Sequence, residues 1–74
     1  APGVTMVEIV AEDRPGLLHG FAAVFAQHDC NIELVLADTE GRRAVDVFYV
    51  SRFGSPLDSG MCQALRDELL QQCR

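Results

Sequence analysis

Asp13-Arg14-Pro15-Gly16-Leu17-Leu18 gathers an acid, a proline and a glycine directly ahead of two leucines. It lies between a short apolar run and a segment of helical periodicity, so it reads as a strand-to-helix turn. A carboxylate at a helix start accepts from the orphan amides of the first turn, so Asp13 is expected to be the N-cap. Proline suits the first helical position, where no N–H is needed, and Pro15 is expected there. Gly16 removes a Cβ where another backbone or a small ligand can approach. Leu17 and Leu18 are expected to open the buried face. A helix N-terminus beside an acidic cap suits the carboxylate and ammonium of an amino acid.

Outward from this turn the chain reads as βαββα. Residues 6–11 are short and β-rich, a first strand. Leu17, Leu18, Phe21, Val24 and Phe25 recur at three- and four-residue steps, which predicts an amphipathic helix over 15–28. Residues 31–38 read as the second strand and 43–51 as the third, joined by a hairpin turn with Gly41 as the positive-φ residue. After a loop at 53–56, Asp58 or Ser59 caps a second helix bearing Met61, Leu65, Leu69 and Leu70. The order implies an α+β sandwich, an antiparallel sheet with two helices on one face. Ile32, Leu34 and Leu36 share one parity while Val35 and Ala37 hold the other, so both faces of the second strand are apolar. A homodimer contact through Ile32, Leu34 and Leu36 is the preferred reason, against a crowded strand end or a bulge that changes parity.

With 74 residues the chain is one domain, residues 1–74, with a core that an oligomer or a parent protein is expected to supplement. It opens Ala1-Pro2-Gly3 without an initiating Met, which suggests a fragment of a larger protein. Net charge is −5 and all six basic residues are arginine, which argues against nucleic acid and against an anionic membrane surface. No apolar run is long enough to span a membrane, and no signal-peptide pattern is seen. Cys30, Cys62 and Cys73 show no metal-ligand spacing and read as free thiols in a reducing cytoplasm. No cofactor or metal is implied. His19 and His28 lack a neighbouring nucleophile and orienting group, so catalysis by this chain is not expected. Glu8 and Asp46 read as solvated strand positions. Arg43 is a candidate partner for Asp38 or Glu33.

Residues 12–18, the later Cys30-Asn31-Ile32 and the segment from Thr39 to Val50 together resemble an ACT domain. The Thr39-Glu40-Gly41-Arg42-Arg43-Ala44-Val45-Asp46-Val47-Phe48-Tyr49-Val50 part resembles the ACT domains at the C-terminal end of bacterial protein-PII uridylyltransferases. The resemblance covers nearly the whole chain. It implies a ferredoxin-like fold, βαββα(β), whose last strand is absent from this chain and would flank the first strand. It also implies a regulatory module that senses an amino acid, with glutamine favoured. The implied ligand site lies between the first β–α loop and the start of the second strand, often across a dimer interface. Asp13, Gly16, Leu17 and Asn31 match that pattern. Arg14 is a further candidate to hold a carboxylate, or is solvated. Asn31 reads equally as a turn residue. The competing reading is a structural dimerisation or docking domain without ligand. An RNA-binding sheet is disfavoured by charge and by the lack of an aromatic–basic third strand.

Overall fold

The computed structural model describes residues 3–74; Ala1 and Pro2, which open the chain, lie outside the described residues. Strand β1 (Thr5–Glu12) leads through the turn to helix α1 (Leu17–Gln27). Strands β2 (Cys30–Glu40) and β3 (Arg43–Arg52) form a hairpin, and helix α2 (Ser59–Gln72) follows. The sheet is antiparallel with order β1-β3-β2. This is the expected βαββα arrangement, with β1 and β2 as the two edges. The hairpin turn uses Gly41 at φ 65, as expected.

The register sorts the side chains into two faces. Val7, Ile9 and Ala11 of β1 pair with Phe48, Asp46 and Ala44 of β3, and all turn toward the helices. Phe21 and Phe25 of α1 meet Phe48 at centroid distances of 6.2 and 4.9 Å, and the three rings are fully buried. Such pairs add roughly 0.5–1.5 kcal/mol beyond the area they bury. Leu17 and Val24 from α1 and Leu65 and Leu69 from α2 complete this core. Leu18 does not join it: at 42% exposure it points outward, and Leu70 does likewise at 51%. Asp58 caps α2, its carboxylate accepting from the Met61 amide at 2.8 Å.

Strand β2 carries a bulge at Glu33. Ile32 pairs with Val50 but Leu34 pairs with Tyr49, so Glu33 is the extra residue and parity changes there. Ile32 therefore packs against the core, while Leu34 and Leu36 lie on the outer face, and the three residues do not share one surface. The bulge is pinned by its own side chain: the Glu33 carboxylate accepts from the Ser51 hydroxyl at 2.7 Å and from the Asn31 amide at 2.8 Å. These two donors hold the Glu33 carboxyl below the usual range. Glu33 is thus occupied locally. Arg43 sits opposite Glu12 and Glu40 in the ladders instead of Asp38 or Glu33. On the outer face Met6, Val10, Leu34 and Leu36 are each about half exposed or more, beside Val45, Val47 and Tyr49.

Candidate functional site

The first strand leaves the sheet at Asp13, whose amide donates to the Arg42 carbonyl at 2.6 Å. The next four residues form a type II turn. Gly16 stands at φ 81, ψ 0, the Leu17 amide donates to the Arg14 carbonyl at 3.3 Å, and Pro15 occupies the position that proline favours. The helix therefore starts at Leu17, two residues later than expected, with Gly16 as its N-cap and Pro15 outside it. Asp13 is too far back in the chain to cap it, and no side chain does so. The Gly20 amide bonds to the Gly16 carbonyl, which leaves the amides of Leu18 and His19 without partners among the described residues. Two uncapped N–H groups and the positive end of the α1 dipole thus face outward at this turn.

They border an open cleft of about 730 Å³, within the usual span of small-molecule sites. Gly16, Leu17 and His19 form one wall, and Asp38 and Thr39 from the end of β2 form the other. Ala37, Ala44 and Asp46 lie between them on the helix-facing side of the sheet. Ala37 and Ala44, diagonal neighbours on β2 and β3, leave the space. A second groove, of about 410 Å³, runs between β1 and α2, lined by Val7, Ile9, Leu65 and Leu69. The cleft at the turn is the better candidate because it joins free backbone donors to charged side chains.

Asp46 is the residue that the strand pattern hid. The register puts it opposite Ile9 and Ala37, on the core face, where it is 4% exposed. Its carboxylate makes no hydrogen bond to another described residue. Neither of its oxygens is sealed off, since no occluded and unpartnered side-chain atom is present among the described residues. It therefore opens onto the cleft. Burial pushes its carboxyl above the ordinary aspartate value, and the nearby Asp13 charge pushes in the same direction. Glu8, by contrast, lies exposed on the outer face, so the two strand carboxylates do not form a pair.

Of the other sequence candidates, Asp13, Arg14, Gly16 and Leu17 all line the cleft. The Arg14 guanidinium, however, donates to the carbonyls of Gln72 and Arg74, where a cation complements the end of α2. Asn31 is elsewhere. It pairs with Ser51 at the opposite end of the sheet, seven residues along β3 from Ala44, a separation of roughly 23 Å at strand rise. Within one chain it does not reach the cleft. His28 contacts Glu68 of α2 and ties the helices together instead of entering a site. Among the described residues there is no cluster suited to a metal ion, the three cysteines are free, and no helix is long and apolar enough to cross a membrane.

The sequence model of the ACT domain matches residues 5–59, which include β1, the turn, α1, the whole hairpin and the start of α2. The chain is 37% identical over 71 residues to the bifunctional uridylyltransferase/uridylyl-removing enzyme of Pseudomonas fluorescens strain SBW25. It is 35% identical to the enzyme of that name from Pseudomonas syringae pv. syringae strain B728a and 37% to that from Pseudomonas putida strain GB-1. Each alignment covers 93% of this chain but 8% of the relative, so the chain spans a small part of the length of the proteins it matches. The ferredoxin-like order, the strand-to-helix turn and the family match agree, and this chain belongs to the ACT domain family.

Proposed function

We propose that this chain is the amino-acid-sensing regulatory module of a bifunctional uridylyltransferase/uridylyl-removing enzyme, with glutamine as its effector. The observation that carries the reading is the cleft beside the type II turn, where the uncapped amides of Leu18 and His19 meet a floor and rim of acidic side chains. A free amino acid matches that arrangement. Its carboxylate suits the helix N-terminus, and Asp13, Gly16 and Leu17 supply the rim that receives the rest. The relatives' printed name supports the parent activity, and alignment over nearly all of this chain supports a shared module. The catalytic work belongs to the rest of such a parent, in a cytoplasmic setting that suits three free thiols. Regulation requires that the effector bind one arrangement of the parent's domains better than the other, since equal binding shifts nothing. Protein-PII signalling of nitrogen status is the process this module serves.

A second reading has its own support. The outer sheet face presents Leu34 and Leu36 at 50% and 52% exposure with Met6 at 60%, a surface that suits a second copy or a parent domain. A dimer is also what a site using both Asp13 and Asn31 requires, with each residue drawn from a different protomer. Titration calorimetry with glutamine and a panel of amino acids separates the readings. Saturable heat with glutamine supports the sensor. No heat with any amino acid, together with concentration-dependent self-association, supports the structural module.

A further inference from the structure

We propose that Asp46 is the ammonium anchor of the cleft, the group that makes it accept α-amino acids and refuse acids that lack a cationic nitrogen. This deepens the sensor reading and rests on it. The ground is the position of the carboxylate. Asp46 as a residue is 4% exposed, its carboxylate has no hydrogen-bond partner among the described residues, and the exposure left to it faces a ligand-sized cleft. A buried charge is normally paired, because its lost hydration otherwise goes uncompensated. No cation among the described residues is hydrogen-bonded or ion-paired to Asp46. Of the two basic residues at the cleft, Arg14 has its guanidinium on the carbonyls of Gln72 and Arg74, and His19 makes no hydrogen bond to Asp46. The groups closest along the sheet are Ala37, Ala44, Ile9 and Phe48, which offer no side-chain donor. Asp13 adds a second negative charge to the same region.

The described residues thus leave Asp46 open to a cation that enters the cleft as a ligand. Its nature follows from the opposite wall, where the amides of Leu18 and His19 want an anion. A metal ion would satisfy Asp46 but not those amides, and a simple carboxylic acid would satisfy the amides but meet two carboxylates. A zwitterion satisfies both, with the ammonium on Asp46 and the carboxylate at the helix start. Asp13, exposed on the rim, then tunes the potential of the cleft without being the primary contact.

The test uses the 74-residue chain, its Asp46→Asn variant and three probes. Glutamine carries both charges, glutaramate lacks the ammonium, and 4-aminobutanamide lacks the carboxylate. Asn keeps the shape of Asp and removes the charge, so the fold is expected to persist; circular dichroism checks it, and Asp46→Ser serves if Asn does not fold. Asp46→Asn is expected to weaken glutamine and 4-aminobutanamide by about tenfold or more, as for loss of a desolvated charge partner. It should leave glutaramate unchanged or bound more tightly, because a repelling charge has gone. Asp13→Asn should weaken glutamine by much less. Glutamine bound equally by the parent and Asp46→Asn would overturn the anchor and leave the sensor reading standing. A parent chain that binds no amino acid would overturn both.

Discussion

Alanine at Gly16 and alanine at Gly20 are the same chemical change four residues apart, and they should move stability in opposite directions. Gly16 stands at φ 81, and a Cβ built there meets nothing within 4 Å. The cost is therefore conformational and not steric. Holding an L-residue in the left-handed region costs roughly 1–2 kcal/mol. The smaller conformational freedom of unfolded alanine returns about 0.4–1 kcal/mol. The net expectation is a loss of about 1 kcal/mol, which lowers the thermal midpoint by roughly 4–8 °C in a domain of this size. Gly20 lies inside α1 with a normal backbone, where alanine is favoured by about 1 kcal/mol. Its Cβ would stand 2.7 Å from Gln72 Oε1, the free end of a flexible side chain that can swing aside. A net gain on the order of 0.5 kcal/mol should remain after that adjustment. Urea melts compared at constant m-value read both effects. Gly16→Asn is the internal control, because asparagine visits the left-handed region more readily than alanine. A Gly16→Ala variant as stable as the parent, or an asparagine variant no better than the alanine one, would refute the type II turn as the element that starts α1.

The remaining expectations address the caps, the outer face and the buried acid. Asp58→Ala should cost about 1 kcal/mol as a lost N-cap, whereas Asp13→Ala should stay within about 0.5 kcal/mol, and equal losses in thermal melts would contradict the capping assignment. Leu34→Glu sits half exposed on the outer face, so the fold should survive while any self-association seen by sedimentation is abolished; an unchanged sedimentation profile removes that face as the contact. Asp46 binds its proton more tightly folded than unfolded, so native stability falls as pH rises through the window above the ordinary aspartate value of about 3.9. Asp13, Arg14, His19 and Asp38 share its cleft and charge the same surroundings. Asp46→Asn should therefore melt higher than the parent at neutral pH and lose that advantage below about pH 4, and a pH-independent difference would argue against a titrating Asp46.

The element order was legible because each element has a distinct period and clear punctuation. Phe21, Val24 and Phe25 mark a helix, Gly41 marks the hairpin, and Asp58 marks the start of α2. The turn itself was harder. Asp-x-Pro-Gly fits both a capped helix with proline at its first position and a type II turn ahead of the helix. The choice depends on the sign of φ at Gly16, which residue identity permits either way. Strand β2 misled for a related reason: alternation carries past a bulge without a mark, so Ile32 looked like a companion of Leu34. Strand β3 is apolar on both parities, from Val45 to Val50, so nothing local says which face holds Asp46. Only the pairing with Ile9 and the rings around Phe48 place it inside. Asn31 was grouped with Asp13 through family resemblance, and strand direction within one chain separates them.

Amide NMR of the uniformly labelled chain during a glutamine titration reports where the amino acid binds as well as whether it binds. Saturable shifts are expected at Gly16, Leu17, Leu18 and His19, with matching shifts at Ala37, Thr39 and Asp46 across the cleft, while the groove between β1 and α2 stays fixed. Resonances that remain still at every residue of the cleft, or that move only around Leu65 and Leu69, would contradict a glutamine site in the cleft.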